Sequence, residues 1–203
     1  MVIAGIAVLS LSGLGLSRIA IPGDEQPAKI TWHSFQEAVA LSKKEKKKIF
    51  IDVFTDWCGW CKVLDRNTFS NPVIIKYMNE HYYCVKLNAE MNDTIVFNNF
   101  TFTNPNPVVN PNPAVRKTPH QLATSLLDNK MGYPSMVFLD ENFNRLFYLQ
   151  SYLTPDQLEP YVKFVGSNSY LTVKWEDYTK SFKGEIEPPP PASPTGVPFA
   201  APH

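Results

Sequence analysis

An α/β fold follows from the way helical and strand patterns alternate along the chain. Apolar residues recur at helical spacing from Phe35 to Leu41 and again from Leu158 to Val165. Ile49–Phe54, Tyr82–Leu87, Met136–Leu139 and Leu146–Leu149 are instead short runs rich in β-branched and aromatic residues, the pattern of strands. At 203 residues, 44% of them hydrophobic and 19% charged, the chain can fill the core of one domain and is not disordered throughout. Nineteen basic residues balance nineteen acidic ones, so the broad positive footprint of a nucleic-acid binder is absent and no nucleic acid is expected as a partner.

The elements read in order. Residues 1–21 are apolar or small with Arg18 as the only charge, and Gly5, Gly13 and Gly15 interrupt them. They are expected to be an export signal peptide or a membrane anchor. Residues 22–29, with Pro22, Gly23 and Pro27, read as a linker, and the domain is expected over 30–183. Ser34 and Glu37 form a capping box for the first helix, which ends in the basic run Lys43–Lys48, read as a solvated helix end. Ile49–Phe54 is apolar on both faces except for Asp52 and reads as a central strand. Helical sequence follows through Arg66, and Asn71 with Pro72 opens a further helix as cap and first position. A segment at about 92–118 contains Asn104–Pro113, an alternation of Asn and Pro that cannot donate a regular ladder. A helix is expected from Thr118 with Pro119 at its first position and Leu122, Leu126 and Leu127 inward. Thr154 and Pro155 start a C-terminal helix whose first turn Pro160 is expected to strain or delay. Residues 184–203 hold seven of the eighteen prolines and are expected to be a disordered tail.

The residues that carry chemistry are Cys58 and Cys61, three apart where a strand runs into a helix. Within one turn their sulfurs can close a disulfide with little backbone movement. Unpaired amides and the helix dipole favour a thiolate on the first sulfur, so Cys58 is expected to be the nucleophile. Cys61, one turn in and expected to be more buried, is then the resolving thiol.

Several residues together resemble the thioredoxin superfamily. They are the string Trp57-Cys58-Gly59-x-Cys61-Lys62, the strand acid Asp52 six residues before the first cysteine, Lys86-Leu87-Asn88 on the next strand, and Pro134 in Gly132-Tyr133-Pro134-Ser135. The resemblance spans residue 30 to about 166. It implies a three-layer α/β/α sandwich with a central mixed sheet, and a cis peptide at Pro134 beside the dithiol. It further implies protein-disulfide oxidoreductase activity on protein thiols and disulfides. The reaction would need no cofactor beyond the redox-active Cys58–Cys61 pair, and a redox partner outside this chain would regenerate it.

Around that pair, Asp52 has two readings, a proton acceptor for Cys61 or an acid merely paired with Lys86. Trp57, Gly59, Trp60, Tyr133 and Pro134 are expected to form the substrate rim, with Trp57 alternatively serving only as packing. Trp60 stands where family reductases often have proline and family oxidases often have histidine. It supplies neither rigidity nor extra positive charge, so a reductase or isomerase is expected rather than a strong oxidant. Cys84 reads as a buried, inert core cysteine. His33, His81, His120 and His203 show no paired ligand spacing, and no metal is expected. The segment at 92–118 is longer than the family's usual link; it would either overhang the dithiol or remain a passive surface loop. A competing function is a redox-inactive peptide-binding or chaperone-like module using the same groove. An exported location, periplasmic or anchored facing the periplasm, is expected from residues 1–21.

Overall fold

The computed structural model describes residues 29–107, 112 and 115–189. Residues 1–21, expected to be an export signal or anchor, all of the linker but Lys29, part of the Asn/Pro stretch and most of the proline-rich tail lie outside these residues. Five strands form one mixed sheet in the order β1 (Trp32–His33), β3 (Tyr82–Asn88), β2 (Lys48–Phe54), β6 (Ser135–Leu139), β7 (Arg145–Gln150). β1, β3 and β2 run parallel, while β6 lies antiparallel to β2 and β7 antiparallel to β6.

Side chains alternate across the sheet, and the two faces bury different helices. Ile49, Ile51 and Val53 of β2 pack with Val85, Leu87, Val137 and Leu139 under α1 (Phe35–Lys44) and α4 (Gln121–Leu126). Phe50 points the other way, with Cys84, Met136 and Phe138, under α2 (Gly59–Asn67), α3 (Pro72–His81) and α5 (Pro155–Gly166). The result is the three-layer α/β/α sandwich. Phe50 is fully buried, with ring centroids 5.2 Å from Phe138 and 5.9 Å from Phe69. Its truncation to alanine would cost about 3–5 kcal/mol through lost burial and the cavity left behind. Asp52 shares the register of Phe50 and is therefore carried to the α2 face.

Local chemistry explains most element boundaries. Ser34 Oγ accepts from the Glu37 N–H while Glu37 Oε2 accepts from the Ser34 N–H, closing the capping box of α1. Asn71 Oδ1 caps α3 ahead of Pro72. Three boundaries differ from expectation. The basic run is not all a solvated helix end: α1 stops at Lys44, and Lys48 opens β2, where it is buried, paired with Glu141 and bonded to Asn168, because the strand carries it into the sheet. α4 starts at Gln121 because the preceding backbone is committed elsewhere. The Thr118 carbonyl accepts from Asn104 Nδ2 at 2.8 Å, the His120 N–H donates to the Ala89 carbonyl at 2.7 Å, and His120 Nδ1 caps the Leu122 N–H. α5 begins at Pro155 and runs through Pro160 without delay, forgoing only the one ladder bond that proline cannot donate.

The long segment between β3 and α4 contains a hairpin, β4 (Ile95–Phe97) with β5 (Phe100–Phe102), turned through Asn98 and Asn99, both at positive φ. Ile95 enters the core beneath α1, and Phe97 meets the Phe35 ring edge-on at 5.1 Å. After α5 come a 3₁₀ turn (Ser169–Leu171) and α6 (Trp175–Ser181), whose Trp175 stacks on Tyr161 at 4.3 Å. Glu185 and Ile186, at the start of the segment assigned to the tail, donate backbone N–H bonds to the buried Glu159 carboxylate. Among the described residues no helix is long and apolar enough to cross a membrane.

Candidate active site

β2 ends at Phe54, and four residues later Cys58 becomes the N-cap of α2. Its Sγ accepts from the Cys61 N–H at 3.1 Å, and the two sulfurs are joined in a disulfide with Cα atoms 5.4 Å apart. The first turn carries no acid, so no carboxylate within it opposes the positive end of the helix at Cys58. The expected difference in burial is not found: Cys58 is 4% exposed and Cys61 3%. Helix position separates them instead, since only the Cys58 sulfur sits at the cap, where the N–H groups of the first turn have no intrahelical acceptor.

Behind the pair, Asp52 is completely buried and its Oδ2 meets Lys86 Nζ at 2.6 Å. Lys86 also pairs with Asp65 of α2 and lies over the Trp32, Phe54 and Phe69 rings. Burial pushes the Asp52 carboxyl up to about 6 even though Lys86 pulls it down. Cys61 and Asp65 are four apart on α2 and share a face. Because Asp65 reaches Lys86, that face lies over the Asp52–Lys86 pair.

The proline loop forms the opposite wall. The Tyr133–Pro134 peptide is cis. The loop is braced by Ser135 Oγ donating to the Gly132 carbonyl at 2.6 Å, and by Gln150 of β7, whose Nε2 donates to the Lys130 carbonyl at 2.7 Å and to Ser135 Oγ at 3.2 Å. A Cβ on Gly132 would fall 2.8 Å from Gln150 Cδ, so glycine gives that amide its room. Trp60, Tyr133, Pro134, Ser151 and Tyr152 line an open groove of about 290 Å³. Trp60 is exposed and tilts against Tyr152 at 5.5 Å. Trp57 is half-buried and pinned, its Nε1 donating to Glu90 Oε1 at 2.9 Å and its ring meeting Tyr133 edge-on at 5.7 Å. The packing role weighed for Trp57 therefore describes much of its surroundings, and Trp60 is the open aromatic. Gly59, the first residue of α2, is half-buried between the cap and Trp60.

Cys84 lies in the core on β3, and burial raises its thiol far above the usual range. Among the described residues, no three His, Cys, Asp or Glu groups are arranged to hold a metal ion. Glu90, Arg116 and Gln150 carry no sequence signal, and His120 has one only as a metal-ligand candidate without a paired spacing. Each acts through tertiary contacts that no motif or spacing announces.

Fold and site together define a thioredoxin-like protein with a C-x-x-C disulfide at a helix cap. Comparison with known proteins gives partial matches. Residues 24–102 match the family model Thioredox_DsbH, described as a protein of unknown function, DUF255. The chain is 36% identical over 62 residues to mouse spermatogenesis-associated protein 20, a stretch covering 30% of this chain and 8% of that one. It is 33% identical over 45 residues to the thiol:disulfide interchange protein DsbD of Vibrio vulnificus, covering 22% of this chain and 8% of that protein. The chain thus matches only a small part of these longer relatives. A solved structure titled DsbH oxidoreductase superposes with a TM-score of 0.49 at 21% identity, covering 79% of this chain and 96% of that one.

Proposed function

We propose that this protein is a thiol-disulfide oxidoreductase exchanging disulfides with protein clients through Cys58 and Cys61, as a reductase or isomerase rather than a strong oxidant. The observation that carries this reading is the cap geometry: the Cys58 sulfur receives an amide N–H at the positive end of α2. The sequence likeness to an interchange protein supports it.

In the reductive direction the Cys58 thiolate attacks one sulfur of a client disulfide. The client S–S bond breaks, a Cys58–client disulfide forms, and the first client sulfur leaves as a thiolate. The Cys61 thiol gives its proton to Asp52 and attacks Cys58 Sγ. The Cys58–Cys61 bond forms, and the second client sulfur departs with the electron pair. The client has gained two electrons and the protein dithiol has lost them. No metal or organic cofactor enters, because the electrons pass between sulfur pairs, and a redox partner outside this chain restores the dithiol. Asp52 suits the acceptor role because burial raises its carboxyl to about 6. The groove of Trp60, Tyr133 and Pro134 suits an extended client segment. The apolar run at 1–21 favours export, or anchoring at a membrane, into a compartment where client disulfides persist.

Insulin reduction by wild type and Cys58→Ser tests the reading. Turnover by wild type that Cys58→Ser abolishes is expected. Absence of activity in both would favour a binding module whose disulfide is structural. Equilibration with a glutathione buffer tests the direction, and a potential as oxidising as that of DsbA, about −120 mV, would overturn the reductase or isomerase reading.

A further inference from the structure

The long segment between β3 and α4 reaches Trp57, the neighbour of Cys58, through the side chain of Arg116. The Arg116 guanidinium carbon lies 4.6 Å from the centre of the Trp57 ring, directly beside Cys58 in sequence. The platform beneath it is held by the Trp57 Nε1 hydrogen bond to Glu90 and the edge contact with Tyr133. Arg116 is exposed, and among the described residues it makes neither an ion pair nor a hydrogen bond. A guanidinium laid against an indole keeps its N–H edges free to bind a carboxylate with two parallel bonds. The groove beyond Tyr133, lined by Trp60, Tyr133, Pro134, Ser151 and Tyr152, has no charged side chain in its lining. The acids flanking Trp57 are both engaged: Asp56 accepts from Asn88 Nδ2, and the buried Glu90 accepts from Trp57. Tyr133 lines that groove and touches Trp57, so a client chain in the groove lies one ring away from Arg116, a cation with no ion pair among the described residues.

We propose that Arg116 is a specificity-determining residue that selects clients with an acidic side chain close to the reacting cysteine. The proposal rests on the oxidoreductase reading for the identity of the client, but not for the binding preference itself. Carboxylate recognition by an exposed cation is modest and screened by salt, so Arg116 would rank clients rather than decide whether they react.

The test uses short disulfide-bonded peptides that carry Glu, or Gln in its place, at each position within two residues of the cysteine. Cysteine-free versions of the same peptides are titrated against the Cys58→Ser, Cys61→Ser protein to read binding alone. At low salt, one position is expected to favour Glu over Gln by about three- to fivefold, both in kcat/KM and in affinity. The preference should fall towards one at 0.5 M salt. It should vanish in Arg116→Gln, which keeps a planar group on Trp57 without charge, and persist in part in Arg116→Lys. No favoured position in the wild type, or a Glu preference unchanged in Arg116→Gln, overturns the proposal. An Arg116-dependent binding preference without turnover of any peptide would instead sink the oxidoreductase reading and leave the role of Arg116 standing.

Discussion

Asp52 is held by Lys86 on one side only: Oδ2 meets the ammonium at 2.6 Å, while Oδ1 is buried with no hydrogen-bonding partner among the described residues. A carboxylate so placed keeps one attractive partner but has lost all of its water. Desolvation wins over the ion pair, and the group titrates near 6 rather than near 4.

The first prediction concerns stability and its pH dependence. In the unfolded chain the Asp52 carboxyl ionises near pH 4, and in the native protein near pH 6. Between these values the native state binds more protons, so stability falls as pH rises through this window and is level above it. Asp52→Asn removes that slope and should stabilise the protein by about 2–3 kcal/mol at pH 7.5, with little gain at pH 4. It should also slow resolution of the mixed disulfide by about tenfold or more, without changing Cys58 alkylation. Urea unfolding at the two pH values and stopped-flow turnover check both halves. A variant with the wild-type slope would show that the raised titration belongs to another group.

The second prediction concerns the proline loop. Gln150 Nε2 serves the Lys130 carbonyl and Ser135 Oγ at once, so Gln150→Leu would leave acceptors on both sides of the loop without their donor. A loss of about 1–2 kcal/mol is expected. Faster amide exchange over residues 130–135 and a higher KM for peptide disulfides should accompany it, with alkylation of reduced Cys58 unaltered. Exchange confined to distant segments would remove the bracing role.

What the sequence disclosed, and what it hid, follow from the range of the interactions. Ser34–Glu37, Asn71–Pro72 and Cys58–Cys61 act within one helical turn, so spacing alone was enough to find them. The run Ile49–Phe54, apolar on both faces except for Asp52, likewise placed β2 at the sheet centre. The start of α4 departs from the sequence pattern even though Pro119 is a good first helical residue. The deciding bonds come from Asn104 and Ala89, distant in sequence. The hairpin at Ile95–Phe102 was hidden because three-residue strands hold too few alternations to register as a pattern. Arg116 on Trp57 is a contact between residues 59 positions apart, and nothing local encodes it.

The third prediction separates the three cysteines. Cys84 is 1% exposed, its thiol pushed far up by burial, and it packs with Phe50 and Met136. After reduction, native protein should be alkylated at pH 7.5 fastest on Cys58 at the helix cap, more slowly on Cys61, and on Cys84 only in denaturant. Peptide mass mapping at intervals, before and after unfolding, reads the order. Rapid native modification of Cys84 would mean that this part of the core opens, and would reinstate it as a candidate third redox thiol.

The fourth prediction concerns His120, which ties the long segment to the sheet. It is fully buried, its Nδ1 accepting from the Leu122 N–H at 3.1 Å and its Nε2 lying 2.9 Å from the Asp93 carbonyl. Both contacts are satisfied only by the neutral ring with its proton on Nε2, and a second proton on Nδ1 would break the cap of α4. Burial holds the imidazole below its usual range, against the opposing pull of Asp93 and the neighbouring carbonyls. The unfolded ring takes up a proton near pH 6.5 and the native ring only at lower pH, so this contribution is complete above 6.5 and is lost as the solution is acidified. His120→Ala should cost about 2 kcal/mol at pH 7.5 through the lost cap and the cavity. His120→Asn can still cap α4, so it should cost less and should flatten the decline between pH 7.5 and 5.5. Urea midpoints for the three proteins at both pH values decide the matter. An undiminished acid decline in His120→Asn would show that the latch is insensitive to protonation.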